Sequence, residues 1–237
     1  MTAPLILACD TTQGACSVAL YQDKALALQL AAMRKGHAEA LIPMIEQVMS
    51  DADRAMTDID RLAVTNGPGT FTGTRVGLSA MRGLALALDK PLKAYGSLHV
   101  MAEGVEGAEC NAPILVAVDA RRDVFYAQGF EAQILDAPRA RLCPPQALSA
   151  EAALALMGET AFGLIGSGAH AVHEMAVSLG RETRIIAAPD YPQAVHVAAL
   201  AAQDTDWDAP PLPSPFYLRP PDASLPNRAK FPARAKS

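Results

Sequence analysis

The sequence predicts an α/β fold built on one duplicated unit, and three features carry that expectation. A short apolar run ends in aspartate twice: Leu5, Ile6, Leu7, Ala8 and Cys9 before Asp10, and Ile114, Leu115, Val116, Ala117 and Val118 before Asp119. Each run opens the same succession of periodicities, β-β-β-α-β-α, which implies a doubled domain rather than a solenoid, whose repeats run ~20–50 residues. In each copy a glycine-rich loop feeds a helix: Asn66 to Gly73 in the first, Gly166 to Ala169 in the second. With 237 residues, 51% of them hydrophobic, the chain can build a substantial core or two small domains.

Taken in order, residues 5–9, 15–20 and 25–30 read as a meander of three strands, the last two separated by Gln22, Asp23 and Lys24. Residues 37–49 place Leu41, Met44, Ile45 and Val48 at helical spacing. Pro43 implies that this helix either starts near Ala40 or kinks. Residues 62–64 are the end of a buried strand. Asn66, Gly67, Pro68 and Gly69 then make a tight turn. The following helix, residues 73–88 with Thr72 as expected N-cap, is small or apolar nearly all round; Arg75 and Arg82, seven apart, are its charges. Glycines at 73, 77 and 83 cost ~1 kcal/mol each against alanine, so something must approach this backbone closely. Residues 91–95 close the first copy.

In the second copy, residues 114–118, 124–130, 133–135, 161–165 and 184–187 read as strands, and 145–157, 170–179 and 194–202 as helices. From Asp208 the chain is proline-rich, hence neither helical nor central strand, and its last basic residues are Arg228, Lys230, Arg234 and Lys236. The expected division is 1–108, 109–207 and a tail, 208–237.

A net charge of −5 argues against a protein that holds nucleic acid alone, though not against work on it beside a basic partner. The N-terminus reaches Asp10 without a basic segment, and no apolar run approaches the ~18 residues of a membrane span. Cys9, Cys16, Cys110 and Cys143 lack CxxC spacing and read as reduced thiols of a cytoplasmic protein.

Several motifs together resemble one family: Asp10-Thr11-Thr12; His37-Ala38-Glu39 before Leu41-Ile42-Pro43; the run Asn66-Gly67-Pro68-Gly69-Thr70-Phe71-Thr72-Gly73-Thr74-Arg75-Val76-Gly77-Leu78; Gly83-Leu84-Ala85; Asp119-Ala120-Arg121; and Tyr217-Leu218-Arg219-Pro220. They resemble the bacterial TsaB (YeaZ) family of the actin-like/Hsp70-like ATPase superfamily. That resemblance implies two ribonuclease-H-like (actin-like ATPase) domains with mixed five-stranded sheets. It also implies a role in forming N6-threonylcarbamoyladenosine at position 37 of tRNAs reading ANN codons. In that role the chain is a non-catalytic subunit beside a catalytic paralogue, TsaD, and a small ATPase, TsaE. It meets tRNA indirectly, and it forms a homodimer when the paralogue is absent.

The expected sites follow. The paralogue's HxxxH metal pair maps onto residues 96–102, where Ser97 and Met101 occupy the ligand positions and His99 is out of phase. His37, His99, His170, His173 and His196 contain no i, i+4 pair, so no metal site is expected. A worn nucleotide site is expected at Asp10, Thr11, Thr12, Asp119, Gly166 and Gly168, with weak binding of ATP or ADP with Mg²⁺ at most. A docking face is expected at Leu41, Met44, Ile45, Val48, Arg75, Gly77, Ala80, Met81 and Leu84, with the helix glycines serving close approach of a partner helix. The rival readings are an active ATP-dependent kinase or transferase of the actin-like class, and a homodimeric scaffold or glycopeptidase-like regulator.

Overall fold

The computed structural model describes residues 3–134, 137–208 and 210–220. The first half contains β1 (Ile6–Asp10), β2 (Ala15–Gln22), β3 (Lys24–Ala32), α1 (His37–Asp51), β4 (Arg61–Thr65), α2 (Phe71–Leu88), β5 (Leu92–Tyr95) and α3 (Ser97–Glu103). The second contains β6 (Ile114–Asp119), β7 (Phe125–Phe130), β8 (Gln146–Leu148), α4 (Ala150–Ala155), β9 (Phe162–Ile165), α5 (Ala169–Ser178), β10 (Thr183–Ile185) and α6 (Ala194–Gln203).

Two mixed five-stranded sheets result, in the orders β3-β2-β1-β4-β5 and β8-β7-β6-β9-β10. The orders correspond strand for strand, so the duplication read from the sequence is a duplication of topology. In each sheet the Asp-ended strand is central, antiparallel to the next strand and parallel to the strand after the first helix. Helices cover both faces of these central strands, so β1 is buried along its whole length and reads as an unbroken apolar run rather than an alternation.

α1 and α2 cover one face of the first sheet, where Leu41, Ile45, Val48, Leu78 and Met81 meet Leu7, Cys9, Val18 and Val64. α4 and α5 do the same for the second sheet through Ala153, Leu154, Val172 and Ala176. The third helix of each half crosses over. Leu98, Met101 and Ala102 of α3 pack on Ile114, Val116 and Val118 of the second sheet. Val197, Ala198 and Ala201 of α6 pack on Ile6, Ala8 and Ala63 of the first, and the Ala194 N–H donates to buried Ser17 of β2 at 2.9 Å. α6 thus belongs to the first sheet's layer and α3 to the second's.

Other local differences have local causes. α1 runs unbroken through Pro43, whose ring lies on the exposed side, instead of starting near Ala40. α2 starts at Phe71 because Thr70, not Thr72, caps it: Thr70 Oγ1 accepts the Gly73 N–H at 3.2 Å. The expected helix over 145–157 is split. Gln146–Leu148 pair antiparallel with Phe125–Ala127, and Ser149 then caps the shorter α4 by accepting the Ala152 N–H. The strand expected at 133–135 is absent at Gln133 and Ile134, and Leu135 lies outside the described residues. So do the basic residues of the tail, Arg228 to Lys236.

Candidate functional site

The loop after β1 is sewn onto the start of α2. Asp10 is fully buried, and its Oδ1 accepts the Thr12 N–H at 3.2 Å, the Thr12 hydroxyl at 2.6 Å and the Thr65 hydroxyl. Its Oδ2 has no partner among the described residues. Burial pushes this carboxyl up to about 6, against the lowering effect of those donors. Thr11 Oγ1 donates to the Gly73 carbonyl at 2.7 Å and accepts the Gly77 N–H at 3.0 Å, while the Thr12 carbonyl accepts the Thr70 N–H at 2.7 Å. Both hydroxyls that the sequence offered to a phosphate are thus spent inside the chain.

The same geometry explains the glycines. A Cβ on Gly77 would lie 2.7 Å from Thr11 Oγ1, one on Gly69 would lie 2.9 Å from Thr12 Cβ, and one on Gly73 would overlap the Thr11 carbonyl oxygen. What approaches α2 closely is the chain's own Thr11–Thr12 loop, not a partner helix. Gly83 has nothing within 4 Å of such a Cβ, so it does not share this cause.

In the second half, Asp119 is exposed, and its Oδ1 accepts the Arg121 N–H at 2.7 Å. Gly166, with φ +94°, and Gly168 fit against the Ala117 carbonyl and the Phe125 ring, where a Cβ would come within 2.5 Å of each. Their smoothness serves the β6–α5 junction. On α3, the Ser97 hydroxyl donates to the Pro68 carbonyl, and Gln13 Nε2 donates to the Met101 sulfur at 3.6 Å. His99, out of phase with the ligand positions, is held by its neighbours. Its Nε2 lies 3.2 Å from Glu103 one turn on, its Nδ1 is 3.0 Å from Arg141 Nη2, and its ring stacks on Phe130. Among the described residues no group of three or more His, Cys, Asp or Glu could hold a metal ion. No described helix is long and apolar enough to cross a membrane.

The outer surface of α1 and α2 forms a groove of about 490 Å³ lined by Ala38, Leu41, Ile42, Phe71, Thr72, Arg75, Val76, Ser79 and Ala80. Of the expected docking face, Leu41, Ile45, Val48, Gly77 and Met81 are buried in the core, turned toward the sheet. Met44, Ala80 and Leu84 are half-buried and Arg75 is exposed. Leu41, Arg75 and Ala80 of that expected face line the groove. The outward stripe is Ala38 and Ile42 on α1, with Thr72, Val76 and Ala80 at i, i+4 steps on α2. A second apolar row on an already amphipathic helix was the signal available.

The described part of the tail is a strap. Asn66 Nδ2 donates to the Ser214 carbonyl at 3.3 Å, and the Phe216 N–H donates to the Asn66 carbonyl at 2.8 Å. Gly67, with φ +109°, lets the Phe216 carbonyl sit where a Cβ would be. The Tyr217 ring stacks on Phe71 with centroids 5.4 Å apart, and its hydroxyl accepts from Arg75 Nε at 3.0 Å; the Arg75 guanidinium lies 3.7 Å over the Phe71 ring. Arg219 Nη1 then donates to the Ala120 carbonyl at 3.1 Å, so the strap joins the Asn66 loop of one half to the Asp119 turn of the other.

The comparisons with known proteins agree with this architecture. The family model described as "TsaD: tRNA N6-adenosine threonylcarbamoyltransferase" matches residues 31–205. The chain is similar to the tRNA threonylcarbamoyladenosine biosynthesis protein TsaB of Escherichia coli (strain K12), 36% identical over 124 residues, covering 52% of this chain and 54% of that protein. The chain thus spans about half the length of the curated relatives it matches. Among solved structures, a Pseudomonas aeruginosa protein described as similar to peptidase YeaZ superposes with a TM-score of 0.75 at 25% identity, covering 91% of this chain and 100% of that one. YeaZ from Pseudomonas aeruginosa follows at 0.71 and 26%, covering 84% and 90%. On the family match and these relatives, the chain belongs to the tRNA N6-adenosine threonylcarbamoyltransferase (TsaD) family, among its TsaB/YeaZ members of the actin-like superfamily.

Proposed function

We propose that this chain is a non-catalytic subunit, in the cytoplasm, of the complex that forms N6-threonylcarbamoyladenosine at position 37 of tRNA. The catalytic paralogue of the TsaD type docks in the α1/α2 groove, a TsaE-type ATPase joins the pair, and tRNA is met through the complex. In the paralogue's absence the same groove takes a second copy of the chain. The observation that carries the reading is the pairing of an outward apolar groove with strand-end loops that are closed on themselves. Ile42 and Phe71 stay 44% and 38% exposed in that groove, an arrangement that suits a partner helix. Thr11 and Thr12, where an actin-like enzyme would need phosphate donors, are committed to α2. The residues of the first loop therefore do not fit a nucleotide's phosphates, and no step is assigned to this chain. The test is reconstitution with the TsaD-type paralogue: tRNA modification that depends on adding this chain supports the reading. Mg-ATP turnover by the chain alone, abolished by Asp10→Asn, would replace it with the kinase or transferase reading.

A further inference from the structure

One end of the α1/α2 groove differs from the rest. Its lining is apolar or hydroxyl-bearing except at Arg75, the one charged residue of the set. Two aromatic residues fix that guanidinium. It lies 3.7 Å over the ring of Phe71, one turn back on α2, and its Nε donates to the Tyr217 hydroxyl of the strap at 3.0 Å. Tyr217 in turn stacks on Phe71. The strap is itself pinned, by the Phe216 N–H on the Asn66 carbonyl and by Arg219 on the Ala120 carbonyl. The guanidinium is therefore oriented before any partner arrives. Its Nε is spent on Tyr217, whereas Nη1 and Nη2 have no hydrogen-bond partner among the described residues. Those two groups are a planar fork that matches the two oxygens of a carboxylate. No carboxylate among the described residues pairs with Arg75.

We propose that Arg75 is a receptor for a carboxylate on the docking helix of the paralogue. That helix lays an apolar stripe along Ile42, Val76 and Ala80, and one of its Asp or Glu side chains closes on Arg75 Nη1 and Nη2. The inference rests on the docking reading above and names the chemistry of the partner's side. Charge complementarity chooses the occupant. An unpaired cation at the end of an otherwise uncharged groove is costly to cover with apolar surface and favourable to cover with an acid. A phosphate would match the same fork, but a nucleic-acid backbone presents a row of charges, and this groove offers one cation among apolar walls. The ion pair sets register and partner choice, while the apolar stripe supplies the contact area. Tyr217 is a positioning residue: its hydroxyl holds Nε, so less side-chain freedom is lost when the fork pairs. The proline-rich strap thereby takes part in docking.

The test titrates the full chain with the TsaD-type paralogue at several salt concentrations. Arg75→Gln should weaken binding roughly tenfold at low salt and flatten its salt dependence, because salt screens the ion pair and not the apolar stripe. Arg75→Lys should keep the salt dependence with a smaller loss, since it keeps the charge without the fork. Tyr217→Phe, which keeps the ring stack and frees Nε, should cost roughly threefold. Arg75 is exposed on α2, so its variants should keep the wild-type urea midpoint. Asp→Asn and Glu→Gln substitutions along the paralogue's docking helix should then reveal one acid whose loss is not additive with Arg75→Gln. Wild-type affinity and salt dependence in Arg75→Gln would overturn the proposal, as would additivity at every acid. So would an Arg75→Gln chain that binds the paralogue normally while the complex loses tRNA, which would make the fork a phosphate site. A wild-type chain that binds beside an unaffected Arg75→Gln variant sinks the carboxylate pair alone; a wild-type chain that does not bind the paralogue sinks the docking reading with it.

Discussion

Asp10 combines full burial, three donors on one oxygen and an unpartnered second oxygen, and its carboxyl is held near 6 rather than at its ordinary 3.8. The sign of the consequence is set by which state keeps the proton. Between about 4 and 6 the folded chain holds it and the unfolded chain does not, so stability falls as pH rises through that window. The span corresponds to about 3 kcal/mol at most. Asp10→Asn should flatten this part of the profile of urea midpoint against pH; an unchanged slope would show that Asp10 is not its source. The helix glycines allow a sharper residue-scale check. Gly77→Ala should destabilise by about 1–3 kcal/mol, because the new methyl meets Thr11 Oγ1 at 2.7 Å. Gly83→Ala, with open space around it, should stabilise by up to about 1 kcal/mol. Equal effects from the two would mean that the Thr11 loop does not explain Gly77. The sequence showed that α2 needed close approach. It could not show what approached, because the Thr11 carbonyl and hydroxyl come from sixty residues away in the chain.

At the scale of elements, the strands were legible where burial on both faces made them continuous apolar runs, as in β1 and β6. They were not legible at the edge: β8 is three residues of an alanine-rich stretch that helical spacing claims equally well, and its pairing with β7 decides the matter. The expected docking face overlaps the groove only in part, at Leu41, Arg75 and Ala80, for a related reason. A helix of the core type shows its inward stripe most strongly, and the outward Ala38, Ile42 and Val76 are weaker in the pattern. Met44 was on that list and is half-buried; Ala80 was on it too and lines the groove. Ala80→Glu should therefore cost paralogue binding roughly a hundredfold or more, by burying an unpaired charge at the interface, while thermal unfolding stays within a few degrees. Undiminished co-elution would move the interface elsewhere. The strap was read as a proline-rich tail, since nothing local shows that Tyr217 stacks on Phe71. Tyr217→Ala should speed hydrogen exchange in residues 66–70 and 120–123, which the strap clamps; unaltered protection there would show that the clamp does not bear on those turns.

For the molecule as a whole, the two sheets repeat one topology, yet α3 and α6 exchange partners across them. The duplicated order of elements was visible in the sequence, but the exchange was not, because α6 has the same apolar composition whichever sheet it covers. The exchange and the strap tie the halves together around loops that the chain itself fills. Among the described residues, the α1/α2 groove is left uncovered. The central claim is that this chain acts by docking rather than by chemistry, and reconstituted tRNA modification tests it most directly. With the TsaD-type and TsaE-type proteins and threonylcarbamoyl-AMP supplied, modification should require the wild-type chain, persist with Asp10→Asn and fail with Ala80→Glu. Modification lost with Asp10→Asn while the complex still assembles, and kept with Ala80→Glu, would contradict it.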